Sequence, residues 1–337
     1  MPIDTTVERE EILEPDLPIC DPHHHLWHSP TNRYLLEDLL ADIGPGDGVG
    51  GHKVESTVFV ECAAFYRARG PEASKVVGET EFVAGVAAMA DSGRYGPVRA
   101  CEGIVGRADL RLGAAVDEVL KAHIAAGGGR FRGIRHAAGW DASDAVRNSH
   151  TDPPEHLYLD PAFREGFARL AANGLTFEAW QYHPQLPDVL DLARAFPDTP
   201  IMLNHVGGPL GIGPYAGHRD EIFATWRGWI RELGACPNVW VKLGGLGMAV
   251  YGFEFHKRER LPDSIELAQA WRPYIETCIE AFGTRRGVFE SNFPVDKVSC
   301  TYDALWNAFK RIASGASSDE KASLFRDNAR SFYRLAD

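Results

Sequence analysis

Cysteine is sparse and scattered in this chain: none of Cys20, Cys62, Cys101, Cys236, Cys278 and Cys300 belongs to a Cys-x-x-Cys pair. A zinc ribbon, a dithiol redox motif and a disulfide scaffold are therefore disfavoured, and reduced thiols in a cytoplasmic setting are expected. Long apolar runs are missing as well. No stretch approaches the roughly 18 residues of a membrane span, and the first 18 residues are acidic, without the basic and then apolar pattern of a leader. Positive charge is short: 35 Lys and Arg stand against 47 Asp and Glu, a formal charge of -12 that repels nucleic acid and anionic lipid. Net charge leaves the sign inside a cleft open, so arginines gathered around an acidic small molecule stay compatible with it. Gly-x-Gly-x-x-Gly after a strand, a Walker loop and a Gly-x-Ser-x-Gly elbow are all absent, so no nucleotide cofactor is expected. The glycine-rich stretch 44–51 reads as a turn. Fixed-period repeats, low-complexity segments and a dividing linker are missing too.

What is present is an alternation. Hydrophobic residues make up 45% of the 337 and charged residues 24%, the values of an ordinary globular chain. Short apolar or β-branched runs at 18–26, 55–62, 101–106, 131–136, 176–182, 201–205, 239–243 and 287–292 predict eight strands. Helical patterns separate most of them, at 112–126, 161–172, 186–195, 219–233 and 265–282, with a further one at 318–335. Regular alternation predicts a parallel sheet, and eight units predict closure into a single (β/α)8 TIM barrel over residues 17–337, after a tail at 1–16. The links from helix to strand (127–129, 173–174, 196–200 and 235–238) are short and turn-like. Those from strand to helix (27–32, 139–160, 206–218 and 244–264) are long, and in this fold such loops surround the active site.

Histidine marks that end of the strands. In Asp21-Pro22-His23-His24-His25, His23 and His25 are two apart and project to one face, where they can grip a metal ion or a substrate oxygen; His24 points the other way. His205 closes the sixth strand in Leu203-Asn204-His205. Taken jointly, the three predict a shared catalytic or ligand site. Glu61, Glu178, Tyr182, His183 and Lys242 stand within reach of a substrate, although an ion-pair network among Glu61, Glu178, Arg135 and Lys242 would explain the charged ones equally well. Trp27, Trp140, Tyr251, Phe253 and Phe255 either wall a partly apolar pocket or anchor the loops.

Four motifs in order, Asp-x-His-x-His, Arg132-Gly133-Ile134-Arg135-His136, Leu203-Asn204-His205-Val206-Gly207-Gly208-Pro209 and Glu290-Ser291-Asn292-Phe293-Pro294-Val295-Asp296, resemble the amidohydrolase-2 branch of the amidohydrolase superfamily. The similar group contains sugar-acid lactonases and 2-pyrone-4,6-dicarboxylate lactonase, and the likeness spans roughly residues 17 to 335. The resemblance implies a hydrolase of a small lactone or cyclic ester, acidic or polyhydroxylated, attacked by activated water. It puts His23, His25 and His205 at the metal or substrate positions, with zinc the expected ion if one is bound. It makes Arg132 and Arg135 holders of a substrate carboxylate, a task that suits a planar, two-pronged donor.

The eighth strand departs from the family pattern, which has an aspartate where this chain has Asn292. An amide takes up no proton at neutral pH and is a poor ligand beside a carboxylate. Glu290, which shares the face of Asn292 by strand parity, Asp296, Glu178 and His183 are the candidates to supply the base. The same resemblance leaves a metal-dependent decarboxylase of an aromatic acid as an alternative, and Asn292, read as a lost base, leaves a catalytically inactive barrel that binds a small acid. A homo-oligomer is compatible with the sequence, and a small-molecule substrate is the expected partner.

Overall fold

The structure is a computed structural model and describes residues 10–336 apart from 47 and 49. The first nine residues of the expected tail, and two positions of the glycine-rich turn, thus lie outside the described residues.

Eight barrel strands form in the order the hydrophobic runs predict: β1 Ile19–His24, β2 Val54–Val60, β3 Arg99–Gly106, β4 Phe131–Arg135, β5 Thr176–Ala179, β6 Ile201–Leu203, β7 Val239–Leu243 and β8 Gly287–Phe289. Each lies parallel to its neighbour and pairs in sequence order. Beyond β8 the chain turns back on β1: His24 bridges Phe293 in parallel, Asn292 donates its N–H to the His23 carbonyl at 2.9 Å, and His25 donates to that of Phe293 at 2.8 Å. The sheet is a (β/α)8 TIM barrel, closed at the rim that carries the histidines.

Helices α1 Leu36–Ile43, α2 Val77–Asp91, α3 Val116–Ala126, α4 Pro161–Ala172, α5 Leu186–Ala195, α6 Arg219–Gly234, α7 Ser264–Phe282 and α8 Tyr302–Ile312 follow the strands. Local chemistry sets their starts. Asp160 caps α4 by accepting the Phe163 N–H ahead of Pro161, and Asp263 caps α7 in a reciprocal box with Glu266. The helix expected from residue 112 starts instead at Val116. Gly113, at φ 57°, breaks the preceding 3-10 turns, and a Cβ there would come within 2.5 Å of Glu165. Helices α1, α2 and α8 are additional to those the pattern singled out. Small residues (Gly78, Ala84, Gly85, Ala87 and Ala88) blur the apolar stripe of α2.

The barrel interior fills from the amino end. Cys20, Val58, Val60, Val105, Met202 and Val288 pack against Ala329, Phe332, Tyr333 and Leu335 from the C-terminal segment, which plugs that end. This segment is helical over Ser318–Ala322 and Asn328–Phe332, with one π turn between. Among the described residues no helix is long and apolar enough to cross a membrane, and all six cysteines are free.

Candidate active site

Alternation along β1 turns His23 and His25 into the barrel and His24 outward, where its Nε2 meets Thr57 Oγ1 at 2.8 Å and its ring packs edge-on to Phe59. The His23 ring centroid is 4.9 Å from that of His25 and 4.6 Å from that of His205. His205 begins the turn after β6 at φ 52°, and its ring lies so close to the chain after β7 that a Cβ at Gly245 would stand 2.2 Å from Nδ1. Glycine at 245 therefore permits the approach.

Glu290, just past β8, holds these rings in place. Its Oε1 accepts from His205 Nδ1 at 2.7 Å and from the His205 main-chain N–H at 3.3 Å. Its Oε2 lies 2.7 Å from His23 Nδ1 yet off the direction of a hydrogen bond, so this buried oxygen carries none. Lys242 Nζ, 3.1 Å from the same Nδ1, and Arg135 Nη1, 3.3 Å from His23 Nε2, face the ring from both sides. A neutral imidazole has one acceptor nitrogen, so the His23 ring can accept from only one of these two cations at a time. Burial pushes the Glu290 carboxyl up to about 8, against the pull of Lys242. Burial first, and then neighbouring cations, hold His23 and His205 well below the usual histidine range, so both rings are neutral at pH 7.

Ligating atoms of His23, His205 and Glu290 lie within 4.8 Å of one another. Two imidazoles and a carboxylate, one of its oxygens unpartnered, are a donor set that fits a divalent ion of the zinc type. His25 stands apart from the three. Its Nδ1 donates to the Val60 carbonyl at 2.7 Å, which leaves Nε2 as the atom with a lone pair. Burial and then Arg135 keep this ring neutral as well.

Arg135 ends β4 in a buried ion pair: Nε donates to Glu61 Oε1 at 2.7 Å and Nη2 to the Glu61 carbonyl. Glu61 Oε2 is 3.0 Å from His150 Nε2. Burial alone would raise Glu61, but Arg135 and His150 outweigh it and hold the carboxyl well below the usual range. Above these groups opens a cavity of about 310 Å³, lined by His25, Trp27, Cys62, Arg135, Arg147–His150, Trp180, Tyr182, His205, Met248, Val250, Asn292 and Val295. Every long strand-to-helix loop of the sequence pattern contributes to this lining or to its support.

The amidohydrolase family profile matches residues 20–335. This chain belongs to the amidohydrolase family. It is a hydrolase of that family, similar at 36% identity over 332 residues, 95% of this chain and 99% of the relative, to the protein y4mH of Sinorhizobium fredii. An L-fucono-1,5-lactonase of Burkholderia multivorans is 29% identical over 234 residues, covering 69% of this chain and 71% of the lactonase. Among solved structures, an amidohydrolase of Burkholderia multivorans with bound zinc superposes with a TM-score of 0.69 at 24% identity, covering 94% of this chain and 99% of that one.

Within this amidohydrolase the expected site residues divide. The cavity and the cluster beneath it bring together His23, His25, His205, Glu290, Arg135, Asn292 and Tyr182. Arg132 is not among them. It leaves β4 on the opposite face and donates from Nη1 to the Gly129 carbonyl at 2.6 Å and to that of Phe131 at 3.2 Å, in the turn at the amino end. Nor do the other proposed bases line the cavity. Glu178 is bound to Lys242 Nζ at 2.8 Å, to Asn204 and to Tyr333; His183 Nδ1 accepts the Leu210 N–H at 3.2 Å; Asp296 accepts from Asn292 Nδ2 and from the Gly247 N–H, each at 2.8 Å. Trp27 walls the cavity, whereas Tyr251, Phe253 and Phe255 anchor the loops. Tyr251 donates to the His205 carbonyl at 3.2 Å, and Phe253 stacks on Phe255 under the Arg219 guanidinium. Trp140 serves through its carbonyl, which accepts from Gln185. Arg147 and His150 escaped the sequence reading because an irregular loop has no period; its length was the only signal.

Proposed function

We propose that this amidohydrolase opens a small polyhydroxylated lactone by hydrolysis, in a single catalytic unit over residues 17–337. The observation that carries the reading is the placement of His25: it stands at the cavity wall with Nδ1–H committed to the Val60 carbonyl, which leaves Nε2 as the atom that can offer a lone pair. That is the form in which a histidine accepts a proton from water as the water attacks a carbonyl. Trp27, Trp180 and Tyr182 offer flat faces to the C–H surface of a sugar ring, and Asn148, Ser149 and Asn292 offer neutral partners for hydroxyl groups. The fuconolactonase relative supports a lactone over other substrates of the family, including the aromatic acid of a decarboxylase.

His23, His205 and Glu290 would hold a divalent ion, zinc by the chemistry of the donor set. When bound, it would supply a Lewis acid for the ester carbonyl. The protein's own part is to hold His25 neutral, to fix His205 through Glu290, and to seal the barrel beneath with Lys242, Glu178 and Tyr333.

Acid release from a panel of aldono- and aldaro-1,4- and 1,5-lactones, followed in a pH-stat before and after chelation and zinc restoration, tests the reading. Saturable release from at least one lactone is expected. No release from any lactone in any metal state would remove the lactonase reading and favour a barrel that only binds small acids.

A further inference from the structure

The cavity carries an electrostatic asymmetry. None of its lining side chains is an aspartate or glutamate, although the chain as a whole has a formal charge of -12. Two arginines line it, and they are not equivalent. The Arg135 guanidinium is matched by Glu61 at 2.7 Å. The exposed Arg147 guanidinium makes no hydrogen bond or ion pair among the described residues; the contact of this residue is through its carbonyl, which accepts from Tyr182. We propose that Arg147 is the specificity-determining cation of the cavity and selects a lactone that also bears a free carboxylate. This rests on, and sharpens, the lactonase reading.

The loop that presents Arg147 is already tied down. Ser149 donates its N–H to the Gly139 carbonyl at 2.8 Å, Thr151 Oγ1 to that of Ala137 at 2.6 Å, and Asn148 Oδ1 accepts the Asp141 N–H at 2.8 Å. His150, the next but two along the chain, is held on Glu61 at 3.0 Å. A fixed loop leaves only the Arg147 side chain to be ordered when it binds, and a guanidinium takes a carboxylate through two parallel N–H donors. Arg135 at the floor is already paired with Glu61, so Arg147 is the cation left to meet an anionic group. An anionic group entering the cavity therefore meets positive potential that no lining carboxylate cancels, within a protein whose outer charge is negative. The sugar ring would lie against the tryptophans, with its ester towards His25 and its carboxylate towards the loop.

The pair D-glucaro-1,4-lactone and D-glucono-1,4-lactone isolates that carboxylate in turnover, and D-gluconate against D-glucitol isolates one carboxylate on the same polyol chain without turnover. Titration calorimetry on the wild type is expected to show gluconate binding about tenfold tighter than glucitol, the worth of one charge-assisted contact at a half-open site. Arg147→Met should remove that preference and raise KM for glucarolactone about tenfold more than for gluconolactone; Arg147→Lys should restore part of it. Equal or absent binding of gluconate and glucitol, or an Arg147→Met protein that keeps the wild-type preference, overturns the proposal even if both lactones are hydrolysed. Conversely, an Arg147-dependent preference for gluconate in a protein that hydrolyses neither lactone supports the anion site and counts against the lactonase reading alone.

Discussion

Arg132 and Arg135 stand three positions apart on β4 and belong to different ends of the barrel. At the amino end Arg132 is spent on the carbonyls of its own turn, beside a plug of Phe332, Tyr333 and Leu335 that fills the strand interior with apolar side chains. At the carboxyl end Arg135 is sealed against Glu61 and faces His23. There Glu290, Asp296, Glu61 and Lys242 are all buried. The amino end is satisfied by packing and local hydrogen bonds. The carboxyl end keeps ionisable groups out of water at a cost in stability, and among the described residues it leaves Glu290 Oε2 and the Arg147 guanidinium without a hydrogen-bond partner. That contrast is the expected division of a barrel into a stable end and a reactive one.

Substitutions at the two arginines would break the comparison most sharply. Arg135→Met strands Glu61 in the interior and should cost about 3–5 kcal/mol of stability, the loss typical of removing one partner of a buried pair. Arg132→Met should cost roughly 1 kcal/mol or less, since it removes only contacts to turn carbonyls at a half-buried position. Chemical denaturation of the two variants measures both, and equal losses would erase the distinction between the ends. A smaller effect is expected at Asn292. Asn292→Asp replaces an amide that donates to Asp296 at 2.8 Å with a second buried acceptor. It should destabilise the fold by about 1–3 kcal/mol above neutral pH and leave lactone turnover no higher. A clear gain in turnover would mean that the site had lacked its base.

The smallest effect is on pH. Burial raises Glu290 and Asp296 to about 8, so the stability each contributes is present below the ordinary carboxyl range and lost as pH rises through about 8. Burial depresses His24 and His136 to about 3, and His23, His25 and His205 also lie well below the usual value. What these rings contribute is present above about 6.5 and lost as pH falls. The depressed histidines outnumber the raised carboxyls. The melting temperature of the metal-free protein should therefore peak near neutrality and fall by a few degrees on either side. Asp296→Asn should flatten the alkaline limb while Arg132→Met leaves it in place; a midpoint still climbing at high pH would contradict these assignments.

Much of the barrel was legible because each strand is a short apolar run bounded by turn residues, and the rim histidines announced themselves at strand ends. Parity on β1 separated His23 and His25 from His24 correctly. The same parity argument, applied to β4, would have set Arg132 apart from Arg135, since an odd spacing turns two side chains to opposite faces. Parity also put Glu290 and Asn292 on one side, and both do face the site, although not on a regular strand. The regular strand stops at Phe289 and Asn292 takes φ 55°, so Glu290 reaches the histidines while Asn292 bonds to Asp296. Glu178 and Lys242 could not be told from catalytic groups by sequence, because burial as an ion pair and approach to substrate place the same residue types at the same strand ends. Arg147 and His150 sit where the backbone has no repeat to read.

In the proposed reaction a locked His25 at the carboxyl end takes the proton from the attacking water. The most direct measurement is kcat for one turned-over lactone in the wild type and in His25→Asn, with melting temperature recorded alongside. A fall in kcat of about 10²- to 10⁴-fold, with KM changed only a few-fold and the fold intact, is the predicted result. A folded His25→Asn protein that hydrolyses the lactone at the wild-type rate would contradict the account.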